Sequence, residues 1–168
     1  MGKSFTITAV LLLLAFQAVA QNPRSAEDYN NRGLERLAKG EFDGAIEDFS
    51  AAIARTARSE HLIAFYYNRA NARIAKNDWD GAIGDYTKSI ELAPGNPDGY
   101  YNRAVAWMNK GDADHAIADF SKAIEISPSS FMAYNNRGNA RRAKGDLEGA
   151  IADYTKALQQ NPRYHEAF

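Results

Sequence analysis

The sequence predicts an all-α solenoid, in which short helical hairpins stack side by side instead of closing around one globular core. Three observations predict this class: a motif recurs at a fixed period, each period holds two stretches with helical spacing of small and apolar residues, and helix-breaking residues separate the stretches. The motif reads YNNR or YYNR and starts at Tyr29, Tyr66, Tyr100 and Tyr134, with spacings of 37, 34 and 34 residues. A period in the mid-thirties is typical of units that each need a neighbour to bury their apolar face.

The period divides the chain into four units. They are predicted to span residues 26–59, 63–96, 97–130 and 131–164. Residues 21–25 precede them as a short linker, and residues 60–62 are an insertion between the first two. Residues 165–168 are predicted to be a truncated fifth unit or a minimal cap, in which Tyr164 and Phe168 fold back over the last helix.

The first half of each unit is predicted to be a helix, here named helix A. Position 4 is always Tyr and position 8 is always small, a spacing of four that places both on one helical face. Helix A is expected to end where a lysine precedes Gly or Asn, because a left-handed C-cap favours these residues and a cation suits the last turn. Those pairs are Lys39-Gly40, Lys76-Asn77, Lys110-Gly111 and Lys144-Gly145.

The second half of each unit is predicted to be helix B. An acidic residue begins it, and in three units this is the Asp that an N-cap favours. Its inner face repeats small residues beside Ile or Leu and one aromatic residue. Pro94, Pro128 and Pro162 end it, since proline lacks the backbone N–H that a continuing helix needs. The first unit has Ala57 in that place, so its helix B is expected to run on and to account for the insertion.

Two polar positions are the same in all four units. Position 7 is arginine and position 23 is aspartate: Arg32, Arg69, Arg103 and Arg137 with Asp48, Asp85, Asp119 and Asp153. A groove that reads a ligand normally varies along its length, whereas a repeated structural contact stays the same. We therefore predict four ion pairs between helices A and B, each worth about 0–1 kcal/mol if exposed.

The first twenty residues have the pattern of a secretory signal peptide. Lys3 precedes an apolar run that closes with Ala18-Val19-Ala20, so cleavage is expected after Ala20. A transmembrane anchor or a buried helix is the alternative, but the run is shorter than the roughly 20 apolar residues a spanning helix needs. The mature chain is therefore expected in the periplasm or outside the cell, with no membrane span, and the bacterial periplasm is preferred.

Composition excludes several classes of function. The formal net charge is −1, so no basic surface for nucleic acid is expected. There is no cysteine, and none of the three histidines has another histidine at i+3 or i+4. Neither a phosphate-binding loop nor a nucleophile elbow is present. We expect no enzymatic activity, no cofactor and no metal.

The unit resembles the tetratricopeptide repeat (TPR). The residues that carry the resemblance are the small residue at position 8, glycine near 15, Ala at 20, the aromatic at 24, Ala at 27 and Pro at 32, and they extend over residues 26–164. Position 4 is Tyr where Trp is commoner. Position 11 is usually a bulky aromatic residue in this family, but here it is Arg36, Arg73 or Arg141 in three units. Only Trp107, in the third unit, follows the family pattern.

The resemblance implies a right-handed superhelix whose A helices line a concave groove. Its groove positions supply the candidate partner-binding residues: Tyr67, Asn68, Asn71, Tyr101, Asn102, Val105, Met108, Asn135, Asn136, Asn139 and Arg142. An asparagine ladder could pair with the main chain of a peptide, and tyrosines make good anchors. Alternatively, the asparagines bridge or cap neighbouring A helices. The cations that some TPR domains use to clamp a chaperone's C-terminal carboxylate are absent.

These features predict a scaffold or adaptor that binds a peptide or a partner subunit of the cell envelope on its concave face. One alternative is an assembly subunit that docks, or associates with itself, through its C-terminal edge. Another is an accessory subunit of an enzyme of cell-wall or polysaccharide metabolism, since amides and tyrosines also suit carbohydrate.

Overall fold

The computed structural model describes residues 25–162, which form eight α-helices. The predicted signal peptide and the predicted cap lie outside the described residues. The helices are α1 Ala26–Ala38, α2 Phe42–Arg55, α3 Ser59–Ala75, α4 Trp79–Leu92, α5 Pro97–Lys110, α6 Ala113–Ile126, α7 Phe131–Ala143 and α8 Leu147–Gln160. Odd-numbered helices are the A helices and even-numbered helices are the B helices, and each packs on the next along the chain. The predicted all-α solenoid is confirmed.

The turns inside the hairpins follow the predicted chemistry. Gly40, Asn77, Gly111 and Gly145 all have positive φ, between 61° and 87°. Glycine adopts this conformation without strain because it has no Cβ, and asparagine tolerates it better than most residues. The B helices then begin at an acidic residue. Asp78, Asp112 and Asp146 each accept a hydrogen bond from a backbone N–H of the first turn, whereas Glu41 makes no such bond.

The prediction for the insertion was wrong. Helix α2 ends at Arg55 and has 14 residues, like the other B helices, while α3 begins at Ser59 and has 17. Thr56 is extended, and its hydroxyl accepts a hydrogen bond from the Arg58 backbone N–H. Since Thr56 already breaks the helix, no proline is needed, and residues 60–62 lengthen the start of α3 instead.

Each hairpin is packed around the aromatic residue of its B helix. Phe49, Tyr86 and Phe120 are at most 1% exposed. They lie on the small residue at position 8, and a Cβ on Gly33 would fall 2.7 Å from the Phe49 ring. Small residues therefore set how closely the two helices of a hairpin approach.

Successive hairpins are joined by contacts between a B helix and the next A helix. Position 10 of the A helix is Ala72, Ala106 or Ala140, all completely buried. Position 3 is Phe65, Gly99 or Ala133, and these lie on the residue at position 28 of the preceding unit. Apolar area is thus buried mainly between units, as a solenoid requires.

The predicted Arg–Asp ion pairs are confirmed in all four hairpins. Each guanidinium donates from Nε and Nη2 to the two carboxylate oxygens, at 2.6–2.9 Å. The carboxylates are buried, with side-chain exposures of 3–11%. The stabilisation of about 0–1 kcal/mol that holds for an exposed ion pair therefore does not apply to them. In three hairpins a second arginine from position 11, Arg36, Arg73 or Arg141, joins the same carboxylate at 2.7–3.0 Å.

Candidate functional site: the surface of the A helices

The A helices form the inner layer of the solenoid. Consecutive A helices are close enough to exchange side-chain hydrogen bonds, although they belong to different hairpins. The B helices are joined to one another through the intervening A helices. A layer whose members are closer together lies on the inside of a curve, so the A-helix surface is the concave groove.

The asparagines at position 6 bridge neighbouring A helices. Asn68 donates to Asn30 Oδ1 at 2.9 Å, Asn102 donates to the Tyr67 hydroxyl at 2.8 Å, and Asn136 donates to the Tyr101 hydroxyl at 2.8 Å. Each bond joins position 6 of one unit to position 5 of the unit before. Of the two roles that the sequence left open for these asparagines, the structure contains the bridging one.

Tyr67 and Tyr101 are half-buried anchors held from two sides. Tyr67 lies edge-on to Tyr86 with ring centroids 5.7 Å apart, and Tyr101 lies in the same way on Phe120 at 5.6 Å. Burial, together with the Asp98 carboxylate, raises the pKa of Tyr67, and the hydrogen bond from Asn102 partly opposes this. The hydroxyl therefore stays protonated at neutral pH and can donate to a ligand.

The asparagines at position 9 have a partner that sequence reasoning missed. Asn71 Oδ1 accepts a bond from the Tyr86 hydroxyl at 2.6 Å, and Asn139 Oδ1 accepts one from Tyr154 at 2.8 Å. The other two units have Phe at position 24, and they have Leu34 and Val105 at position 9. This exchange was visible in the sequence: asparagine occurs at position 9 only where position 24 is tyrosine.

The remaining predicted residues fall into two groups. Val105 and Met108 are partly buried and pack against the core around Phe120, so they form part of the groove floor. Arg142 is exposed, and Asn135 makes one long contact to Asn136 at 3.5 Å. Met132, at position 2 of the fourth unit, is 49% exposed and was not among the predicted residues.

The groove asparagines keep hydrogen-bonding capacity of different kinds. Asn102 uses its amide nitrogen for both Tyr67 and the Asp98 carbonyl, which leaves Oδ1 as an acceptor. Asn71 and Asn139 use Oδ1 as an acceptor, which leaves their amide nitrogens as donors, and Asn71 directs one N–H to the Tyr67 hydroxyl. A groove with fixed donors beside fixed acceptors can pair with both polar groups of a peptide main chain.

Within residues 25–162, no group of three or more metal-ligating side chains comes together. None of the helices in this range has both the length and the apolar character that a membrane-spanning helix requires.

Stacked hairpins with a groove lined by their first helices define a helical-repeat protein of the class that serves as protein-interaction scaffolds. Two family models, both described as tetratricopeptide repeat, match residues 67–131 and 131–164. The chain therefore belongs to the tetratricopeptide repeat family.

Solved structures resemble the solenoid over 66–90% of the chain. A crystal structure of MamA is 24% identical, with a TM-score of 0.79 over 89% of this chain and 86% of that one. YrrB, described as a TPR protein with an unusual peptide-binding site, is 19% identical, with a TM-score of 0.72 over 90% and 77%. The first TPR domain of Spaghetti (RPAP3), bound to the HSP90 peptide SRMEEVD, is 32% identical, with a TM-score of 0.62 over 66% and 86%. No curated protein sequence matches the chain.

Proposed function

We propose that this protein is a non-catalytic scaffold that binds an extended or helical segment of a partner protein along its concave groove. The observation that carries the proposal is the pair of half-buried tyrosines, Tyr67 and Tyr101, each fixed by an asparagine of the next A helix. Because the rings are already ordered, a ligand would lose little side-chain entropy on contact with them. The peptide-bound structure of the Spaghetti TPR domain supports a ligand of this kind.

The chemistry of the ligand is expected to differ from that of the SRMEEVD peptide. That peptide ends in an acidic segment. Here positions 2, 5 and 6 of the A helices carry no cation, and position 2 contributes Glu27 and Asp98. Carboxylates at position 2 of the A helices repel an acidic segment. The groove is therefore expected to select neutral or basic peptides through amides, hydroxyls and aromatic rings.

A peptide selected from a display library against the mature chain tests the groove. Replacing both Tyr67 and Tyr101 by Ala is expected to weaken its binding at least about thirtyfold, because loss of an aromatic anchor costs about 2 kcal/mol. Calorimetry would measure the change. Lys88→Ala, on the exposed side of α4, is the matched control and should bind as the unchanged chain does.

Two results would contradict the groove model. One is unchanged affinity in the double variant while its circular dichroism and melting temperature match the parent. The other is that the parent chain retains cell-wall polysaccharide and the double variant does not, while both still bind the peptide. That result would favour the role as an accessory subunit of a polysaccharide enzyme.

We further propose that the mature protein works in the periplasm or outside the cell. The proposal rests on residues 1–20, with their lysine, apolar run and Ala18-Val19-Ala20 ending. The intact mass of protein recovered from producing cells is expected to correspond to a chain that begins at Gln21. A mass that includes Met1 to Ala20 would refute it.

A further inference from the structure

Among the described residues the outer face of α8 is exposed, whereas the same face of the other B helices is covered. This face comprises Glu148, Ile151, Thr155 and Leu158. Ile151 is 65% exposed and Leu158 is 43% exposed. The equivalent residues of α4, Ile83 and Ile90, are 9% and 8% exposed because α5 packs over them. Within the described residues, no helix packs on the outer face of α8.

The first recurring contact on a covered face is a hydrogen bond between an arginine and a hydroxyl. Arg69 donates to Ser50, Arg103 to Thr87 and Arg137 to Ser121, at 2.9–3.0 Å. In each case position 7 of an A helix reaches position 25 of the preceding B helix. The equivalent hydroxyl of α8 is Thr155, which donates to the Ile151 carbonyl and keeps its acceptor lone pairs.

The second recurring contact is an ion pair between a lysine and a carboxylate. Lys110 lies 2.6 Å from Asp80, and Lys76 pairs with Asp43 and Lys144 with Asp114 in the same way. Position 14 of an A helix thus meets position 18 of the preceding B helix. The equivalent carboxylate of α8 is Glu148, which is exposed.

The third recurring feature is the size of the residues on the arriving helix. Position 10 is always a fully buried alanine, and position 3 is Gly99 or Ala133 in the last two units. A Cβ on Gly99 would lie 2.9 Å from the Ile90 side chain, which shows how close the two helices are. Small residues seven apart, two turns along a helix, permit this approach.

We propose that the outer face of α8 binds a helix of a partner protein that continues the solenoid in trans. The partner helix has two small residues seven apart, an arginine four residues after the first and a lysine four residues after the second. The small residues lie on Ile151 and Leu158, the arginine donates to Thr155, and the lysine pairs with Glu148. This surface is separate from the groove, so the inference does not rest on the proposed function.

A second copy of this chain does not supply that helix through α1. Helix α1 has Arg32 and Lys39 in the required register, but Asp28 and Glu35 take the places of the small residues. Asp28 is already part of a capping box with Ser25. Stacking α1 on α8 would bury these two carboxylates against apolar side chains, which is unfavourable without partners.

The chain itself provides two probe peptides that carry the arginine and the lysine in the same register. Residues 130–145 read SFMAYNNRGNARRAKG, with small residues at both positions, and residues 25–40 read SAEDYNNRGLERLAKG, with Asp and Glu there. Each peptide is titrated into the isotope-labelled mature chain. The peptide of residues 130–145 is expected to give saturable NMR shifts of the α8 amides. The second should bind at least about tenfold more weakly, because it buries two carboxylates.

Variants of the intact chain assign the shifts to the proposed surface. Ile151→Lys is expected to weaken binding of the first peptide at least about tenfold and, because Ile151 is exposed, to leave the fold intact. Replacing Tyr67 and Tyr101 by Ala should leave α8 binding unchanged, which separates this surface from the groove.

Four outcomes would overturn the proposal. The first is that the NMR signals of the α8 amides do not shift with the first peptide, and the second is that they shift equally with both peptides. Deleting residues 163–168 raises the peptide affinity at least about tenfold, which would make the chain's own C-terminal segment the occupant. A solution mass that rises with concentration, and no longer does so in Ile151→Lys, would make the occupant a second copy.

Discussion

Replacing Asp85 by Ala is expected to lower the free energy of unfolding by about 3 kcal/mol, the low end for breaking a buried ion pair. The Asp85 carboxylate is buried and accepts bonds from both Arg69 and Arg73, at 2.7–2.8 Å. Its loss leaves the Arg69 guanidinium without an anion, whereas Arg73 keeps an ion pair with Asp78 at 3.5 Å. The side chains of Arg69 and Arg73 are 16% and 23% exposed, and this partial access to water also keeps the cost from being larger.

Asp80→Ala is the matched control on the same helix. Asp80 also forms an ion pair, with Lys110 at 2.6 Å, but its side chain is 78% exposed. Its removal should cost about 0–1 kcal/mol. Urea unfolding of both variants measures the difference. Equal losses of unfolding free energy would show that burial does not make the Asp85 ion pairs more stabilising than an exposed pair.

The third unit offers an internal comparison for the same prediction. Position 11 is Trp107 there, so Asp119 is paired with Arg103 alone. His115 replaces the glycine found at position 19 of the other units and stacks on Trp107 with ring centroids 4.6 Å apart. Arginine at position 11 occurs with glycine at position 19 because Arg36, Arg73 and Arg141 bond to that residue's carbonyl. Asp119→Ala should therefore cost less than Asp85→Ala.

Asn71→Leu is expected to cost about 1–3 kcal/mol, and adding Tyr86→Phe should restore most of that loss. Tyr86 is 1% exposed and its hydroxyl donates to Asn71. Burial raises the pKa of Tyr86 far above its ordinary value, so the group remains a neutral donor that needs an acceptor. Leucine at position 71 would leave that donor buried without a partner.

The double variant reproduces what the first unit already contains, Leu34 with Phe49. Unfolding of the parent, both single variants and the double variant forms a double-mutant cycle, in which a coupling of about 1 kcal/mol or more is expected. If the two changes simply add, the Tyr86–Asn71 hydrogen bond does not explain why these residues occur together.

Much of the site could be predicted only as a set of positions. The resemblance placed Asn68, Asn102 and Asn136 in the groove. Their actual partners come from neighbouring units, 35 to 38 residues away in the chain. Reasoning within one unit cannot find such partners. The Asn71–Tyr86 pair was within reach, since both belong to one unit and vary together.

The sequence by itself determined the helices, their ends except at the junction of α2 with α3, and the pairing of Arg with Asp. These depend on local rules, such as proline lacking an N–H or glycine accepting positive φ, and on a period that every unit repeats. Only the tertiary structure decided the depth of the carboxylates, the role of the asparagines and the open face of α8. Burial and hydrogen-bond partners in a solenoid depend on how one unit lies on the next, which no single unit specifies.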